Sequence, residues 1–85
     1  MKLTQEYLET LITGVEYIQN GKTTICIARL INGFEIVGTS AVVDKTTFDE
    51  KIGRQIAKND VIDKLWELES NRVQWIEYNK NNIEK

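Results

Sequence analysis

Apolar residues recur at Leu3, Tyr7, Leu8, Leu11 and Ile12 with the spacing of a helix face, and Thr4 stands where it can cap the first turn. Gly14 marks the expected end of that helix. From Val15 the period changes to two. VEYIQ, the pair Asn20-Gly21 and KTTICIARL together read as a hairpin closed by a tight primed turn. A second pair, Asn32-Gly33, leads into FEIVGTSA, so a three-stranded antiparallel meander is expected. On its central strand Ile25, Ile27 and Ile31 fall on one side and Cys26, Ala28 and Leu30 on the other. A strand apolar on both faces is covered on both faces, which in so short a chain calls for helices on one side and a partner on the other.

The pattern then turns helical. Thr47-Phe48-Asp49-Glu50 has the form of a capping box, and helical periodicity continues to about Trp75 or Tyr78, as one long helix or a helical pair broken near Asn59-Asp60 or Ser70-Asn71. Residues 80–85 read as a frayed tail beyond a single domain spanning residues 1–79. At 100° per residue, Phe48, Ile52, Ile56, Ile62 and Trp66 form one stripe, expected to face the chain's own sheet. Gly53, Ala57, Val61 and Leu68 form a second, nearly opposite stripe, whose small residues would admit another backbone. Together with Trp75 and Tyr78 it is the expected subunit interface, with packing on the N-terminal helix as the alternative for Gly53. The fold class is therefore α+β: a short N-terminal helix, a three-stranded meander and a long C-terminal helix, assembled as an oligomer.

Composition narrows the function. With 85 residues the core is small, and a chain with one Cys and no His lacks the disulfide or metal that often supplements such a core. Oligomerisation is left to do so. No apolar run reaches the roughly 20 residues of a membrane span, and the N-terminus does not read as a signal peptide. Cys26 reads as a core residue of a reduced, cytosolic protein. Eleven Lys and Arg against 13 Asp and Glu, a net charge of −2, disfavour binding to duplex nucleic acid. The usual catalytic pairings cannot be assembled: Asp60, Asp63, Glu67 and Glu69 read as helix-surface acids, so a binding protein without metal or cofactor is expected rather than an enzyme.

Lys51, Arg54 and Lys58 form a basic ridge in the first half of the helix, where the dipole disfavours cations unless an anion is near. It is either a solvated face with pairs such as Glu50 to Arg54 or a phosphate site, with Arg54 the favoured ligand because its guanidinium grips two oxygens and stacks on a base. Lys64, Thr39 and Ser40 are further candidate phosphate contacts. Phe48 and Trp66 are candidate base platforms whose spacing equally suits core packing.

The segment TTICIARLINGFEIVGTSAVVDKTTFDEKIGRQIAKNDVIDKLWELE resembles small tailed-phage proteins grouped as the gene-product-49/gene-product-66 family. The resemblance rests on an NGF turn, a GxSA strand end and the run FDxxIGRxIAxxxAxxKxWxLE, with Val61 where that family has Ala. It implies a phage gene expressed in a host bacterial cytoplasm, and no established activity comes with it. By class analogy, such proteins are similar in design to anti-defence sponges that withhold the cyclic nucleotide signals of CBASS or Thoeris immunity. The expected function is thus an oligomer that sequesters a cyclic oligonucleotide or cyclic ADP-ribose derivative without hydrolysing it. The alternative is a protein inhibitor acting through Val73, Trp75, Ile76 and Tyr78.

Overall fold

The computed structural model of the chain describes residues 3–41 and 49–83. Helix α1 spans Gln5–Thr10, strands β1, β2 and β3 span Ile12–Asn20, Thr23–Leu30 and Glu35–Ala41, and helix α2 spans Glu50–Ile83. The sheet is an antiparallel meander in the order β1-β2-β3.

Local chemistry explains each boundary. The Thr4 hydroxyl accepts from the Tyr7 amide at 3.1 Å and caps α1. That helix ends at Leu11, earlier than Gly14, because Gly14 lies inside β1 beside a bulge at Thr13. In the first hairpin Asn20 pairs with Thr23, leaving Gly21 and Lys22 as the two-residue loop, and Gly21 takes the positive φ of +60° that a type II′ turn requires at its first central position. In the second, Gly33 adopts φ +88° and Asn32 Oδ1 accepts from the Phe34 amide at 3.0 Å. The Ile31 amide donates to the Leu11 carbonyl at 2.9 Å and ties this turn to the end of α1. Of the expected capping box, Thr47 and Phe48 lie outside the described residues; Asp49 acts as cap, its Oδ1 accepting from the Lys51 amide at 2.9 Å.

Helix α2 is a single helix, unbroken at Asn59 and at Ser70, and residues 80–83, expected to fray, continue it. Its 34 residues correspond to about 51 Å. The radius of gyration, 16.3 Å, exceeds the roughly 12 Å of a compact chain this long because the last turns of α2 project beyond the sheet.

One face of the sheet carries the core. Cys26, Ala28, Leu30 and Ile36 are buried beneath Ala57, Val61, Ile62 and Leu65 of α2 and Leu8 of α1. The two stripes of α2 are placed only partly as expected: Gly53, Ala57 and Val61, expected at a subunit interface, are buried within the chain, and Ile52 and Ile56, expected on the sheet, are 57% and 48% exposed, whereas Ile62 and Trp66 pack on the core as expected and Leu68 is exposed. The cause is Gly38 on β3. An added Cβ there would stand 2.2 Å from the Ala57 carbonyl oxygen and 2.8 Å from the Val61 amide nitrogen, so α2 seats its small residues on a strand that offers no side chain. The opposite sheet face, with Ile18, Ile25, Ile27 and Val37, has no element of the described residues packed on it.

Candidate functional site

The register of β1 puts Tyr17 opposite Cys26, on the helix-bearing side of the sheet's edge strand. Helix α2 passes above, and the Arg54 guanidinium carbon lies 5.7 Å from the centroid of the Tyr17 ring. Lys58, one turn further, pairs with Glu9 of α1 at 3.5 Å, and Arg54 reaches Glu50 at 3.8 Å. These pairs are exposed, and such pairs contribute at most about 1 kcal/mol, so a phosphate could compete for either cation. Burial raises the Tyr17 hydroxyl pKa, with the nearby Cys26 thiol adding to the rise and Lys58 and Arg54 opposing it. Burial likewise raises the Cys26 thiol, against the pull of Lys58 and the hydrogen bond to Tyr17. Tyr17 was not singled out from the sequence; the signal was its place two residues from Val15 in a period-two strand, on the face that meets α2.

The other sequence candidates do not converge on this rim. Lys51 is exposed at the start of α2. Lys64 lies on the far side of the helix, donating to the Val37 carbonyl at 2.7 Å and pairing with Asp60 at 3.3 Å. Asp60 in turn accepts from the Thr39 amide at 3.0 Å, which holds its carboxyl below the ordinary value, with Lys64 lowering it further and burial opposing. These two side chains cover the outer edge of β3. Thr39 and Ser40 point to opposite faces of that strand, as adjacent strand residues must, and Ser40 is buried. Trp66 packs half-buried against the core, and Phe48 lies outside the described residues. Ten residues separate Arg54 from Lys64, which turns the helix by roughly 80° and divides the cations between two sides.

A groove that sequence reasoning missed opens at the NGF turn, where α2 leaves the sheet. Two adjoining hollows of about 280 and 240 Å³ share Leu30, Asn32, Glu69 and Arg72. Tyr7, Leu11 and Ile31 line one, and Phe34, Leu65 and Leu68 the other. Arg72 Nε donates to Glu69 within it, and this bond raises the Arg72 pKa. Further along α2, Trp75 and Tyr78 meet edge to face, centroids 5.6 Å apart at 88°, and both are exposed. Among the described residues no cluster of His, Cys, Asp and Glu could hold a metal, and no helix is long and apolar enough to cross a membrane.

The family model that matches this chain covers residues 3–75 and is described as the "Phage protein (N4 Gp49/phage Sf6 gene 66) family". Among curated proteins and among solved structures nothing matches.

Proposed function

The chain belongs to this phage-protein family, and from that premise we propose that it is an anti-defence protein that binds and withholds a cyclic nucleotide immune signal in the cytoplasm of a bacterial host. The observation that supports this reading is the Arg54 guanidinium over the Tyr17 ring, with Lys58 one turn away. A cation stacked on an aromatic at an open rim offers the two things a nucleotide needs: a flat surface for a base, contributing about 1–3 kcal/mol, and a planar donor pair for phosphate. The Tyr17 hydroxyl, its pKa raised by burial, is not a base near neutral pH, so the ligand would be held intact. The test is thermal shift and native mass spectrometry against cyclic dinucleotides, cyclic trinucleotides and cyclic ADP-ribose isomers. One of them should raise the melting temperature saturably and be recovered unchanged on heating, and Arg54→Ala should abolish the shift. No response to any of the panel would sink the reading.

A second reading rests on Trp75 and Tyr78. Both rings stand exposed with Asn71 and Gln74 around an open hollow of about 450 Å³. Exposed aromatics of this kind are typical anchors of protein interfaces, so an inhibitor that occludes a partner protein is the alternative. Trp75→Ala would then abolish activity while Arg54→Ala spared it.

A further inference from the structure

We propose that two copies of this chain join edge to edge through β1, antiparallel about a twofold axis at Tyr17, so that their sheets run on as one and the rim of Tyr17 and Arg54 is completed across the axis. The alternation of backbone groups along the meander locates the free edge. The Leu30 amide donates to the Phe34 carbonyl, so the even-numbered residues of β2 bond to β3 and the odd ones, among them Ile25 and Ile27, bond to β1. Their partners on β1 are Ile18 and Glu16. The N–H and C=O groups of Val15, Tyr17 and Gln19 therefore point away from the sheet, where no described residue bonds them.

The other edge is closed. On β3 the equivalent outward groups are taken by α2, the Thr39 amide by Asp60 and the Val37 carbonyl by Lys64. Strand β1 lacks such cover: from Ile12 to Asn20 there is no Pro and no Lys to blunt it, and Glu16 is turned to the open sheet face against Arg29. With β3 closed, the edge that the chain itself offers to β1 is another β1, which makes a closed pair and not an open chain of sheets. The register follows from the same groups. With the axis at Tyr17, that residue exchanges both backbone bonds with Tyr17 of the other copy, and Val15 exchanges both with Gln19, twice by symmetry. An axis at Glu16 sets glutamate on glutamate and Gln19 on the bulge at Thr13; an axis at Ile18 sets Val15 on the hairpin loop at Gly21.

Helix α2 packs over β3 and β2, so both helices stand on one face of the joined sheet with the two β1 strands between them. The Cα atoms of the two Tyr17 residues come to about 5.5 Å apart, and their rings make one floor flanked by Arg54 and Lys58 of each copy. Resting on the nucleotide reading, this cleft suits a ligand with its own twofold, a cyclic dinucleotide with two bases and two phosphates, held once per pair of chains.

Pairing is tested without nucleotide, so that it and the nucleotide reading fail separately. Sedimentation velocity of the full chain from micromolar to millimolar concentration should show a monomer in equilibrium with a dimer. Hydrogen exchange should show the Val15, Tyr17 and Gln19 amides at least tenfold slower in the dimer than after dilution. Tyr17→Pro removes an outward N–H that the monomer does not use and, with its fold checked by circular dichroism, should weaken association at least tenfold. Tyr17→Leu keeps that N–H and should still dimerise. Native mass spectrometry with the responding cyclic dinucleotide should then find one ligand per two chains. A dimer with protected amides that binds no nucleotide supports the pairing and tells against the nucleotide reading. A wild type monomeric throughout, a dimer whose three amides exchange as freely as the monomer's, or one ligand bound per chain would overturn the proposal.

Discussion

Gly38 lies directly beneath Ala57, so close that a Cβ on Gly38 would stand 2.2 Å from the Ala57 carbonyl oxygen and 2.7 Å from Cγ2 of Val61. The Ala57 oxygen and the Val61 amide nitrogen, which would stand at 2.8 Å, belong to the helix backbone and cannot be relieved by a rotamer change. Gly38→Ala should therefore lift α2 off the sheet and destabilise the protein by about 3 kcal/mol or more. Urea denaturation followed by Trp fluorescence would measure this, since Trp66 packs against the core. A loss below 1 kcal/mol would mean the contact is looser than described.

Asp60 gives a pH-dependent prediction. Its carboxyl is held below the ordinary aspartate value by the Thr39 amide first, with Lys64 assisting against burial. A depressed folded value means that the stability is present above the unfolded pKa and is lost as pH falls through the folded one. Asp60→Asn should thus cost about 1 kcal/mol at pH 7, a figure kept small because the side chain is a third exposed, and nothing at about pH 2. Melting curves of both proteins from pH 2 to 7 should converge at the acid end.

Cys26 is fully buried, and burial raises its thiol pKa. Both effects suppress the thiolate, so an aromatic disulfide reagent at pH 7 should label it only as fast as the sheet opens. Cys26→Ser should destabilise by about 1–3 kcal/mol, as a hydroxyl replaces an apolar sulfur in the core. Rapid labelling of the native protein would contradict the burial.

The two functional readings differ at two residues. Tyr17→Leu should weaken nucleotide binding by roughly tenfold, the equivalent of one lost stacking contact, while leaving any protein partner unaffected. Trp75→Ala should do the opposite. Isothermal titration with the responding nucleotide separates them, and equal effects of both substitutions would fit neither.

What the sequence determined on its own is what depends on near neighbours in the chain. The Thr4 cap, the period-two strands and the positive φ of Gly21 and Gly33 each follow from a few consecutive side chains. Even these carried errors of local detail: the Gly14 stop proved to be a paired strand residue beside a bulge, because glycine serves both. What only the tertiary structure decided is which side of α2 meets the sheet. Both stripes are apolar, so periodicity cannot rank them; the missing side chain of Gly38, on a different element, admits Ala57 and Val61 and turns Ile52 and Ile56 outward. The same rotation brings Arg54 over Tyr17, a juxtaposition across 37 residues of chain that no local pattern encodes. Spacing along a helix fixes which residues share a face, but only packing fixes what that face sees.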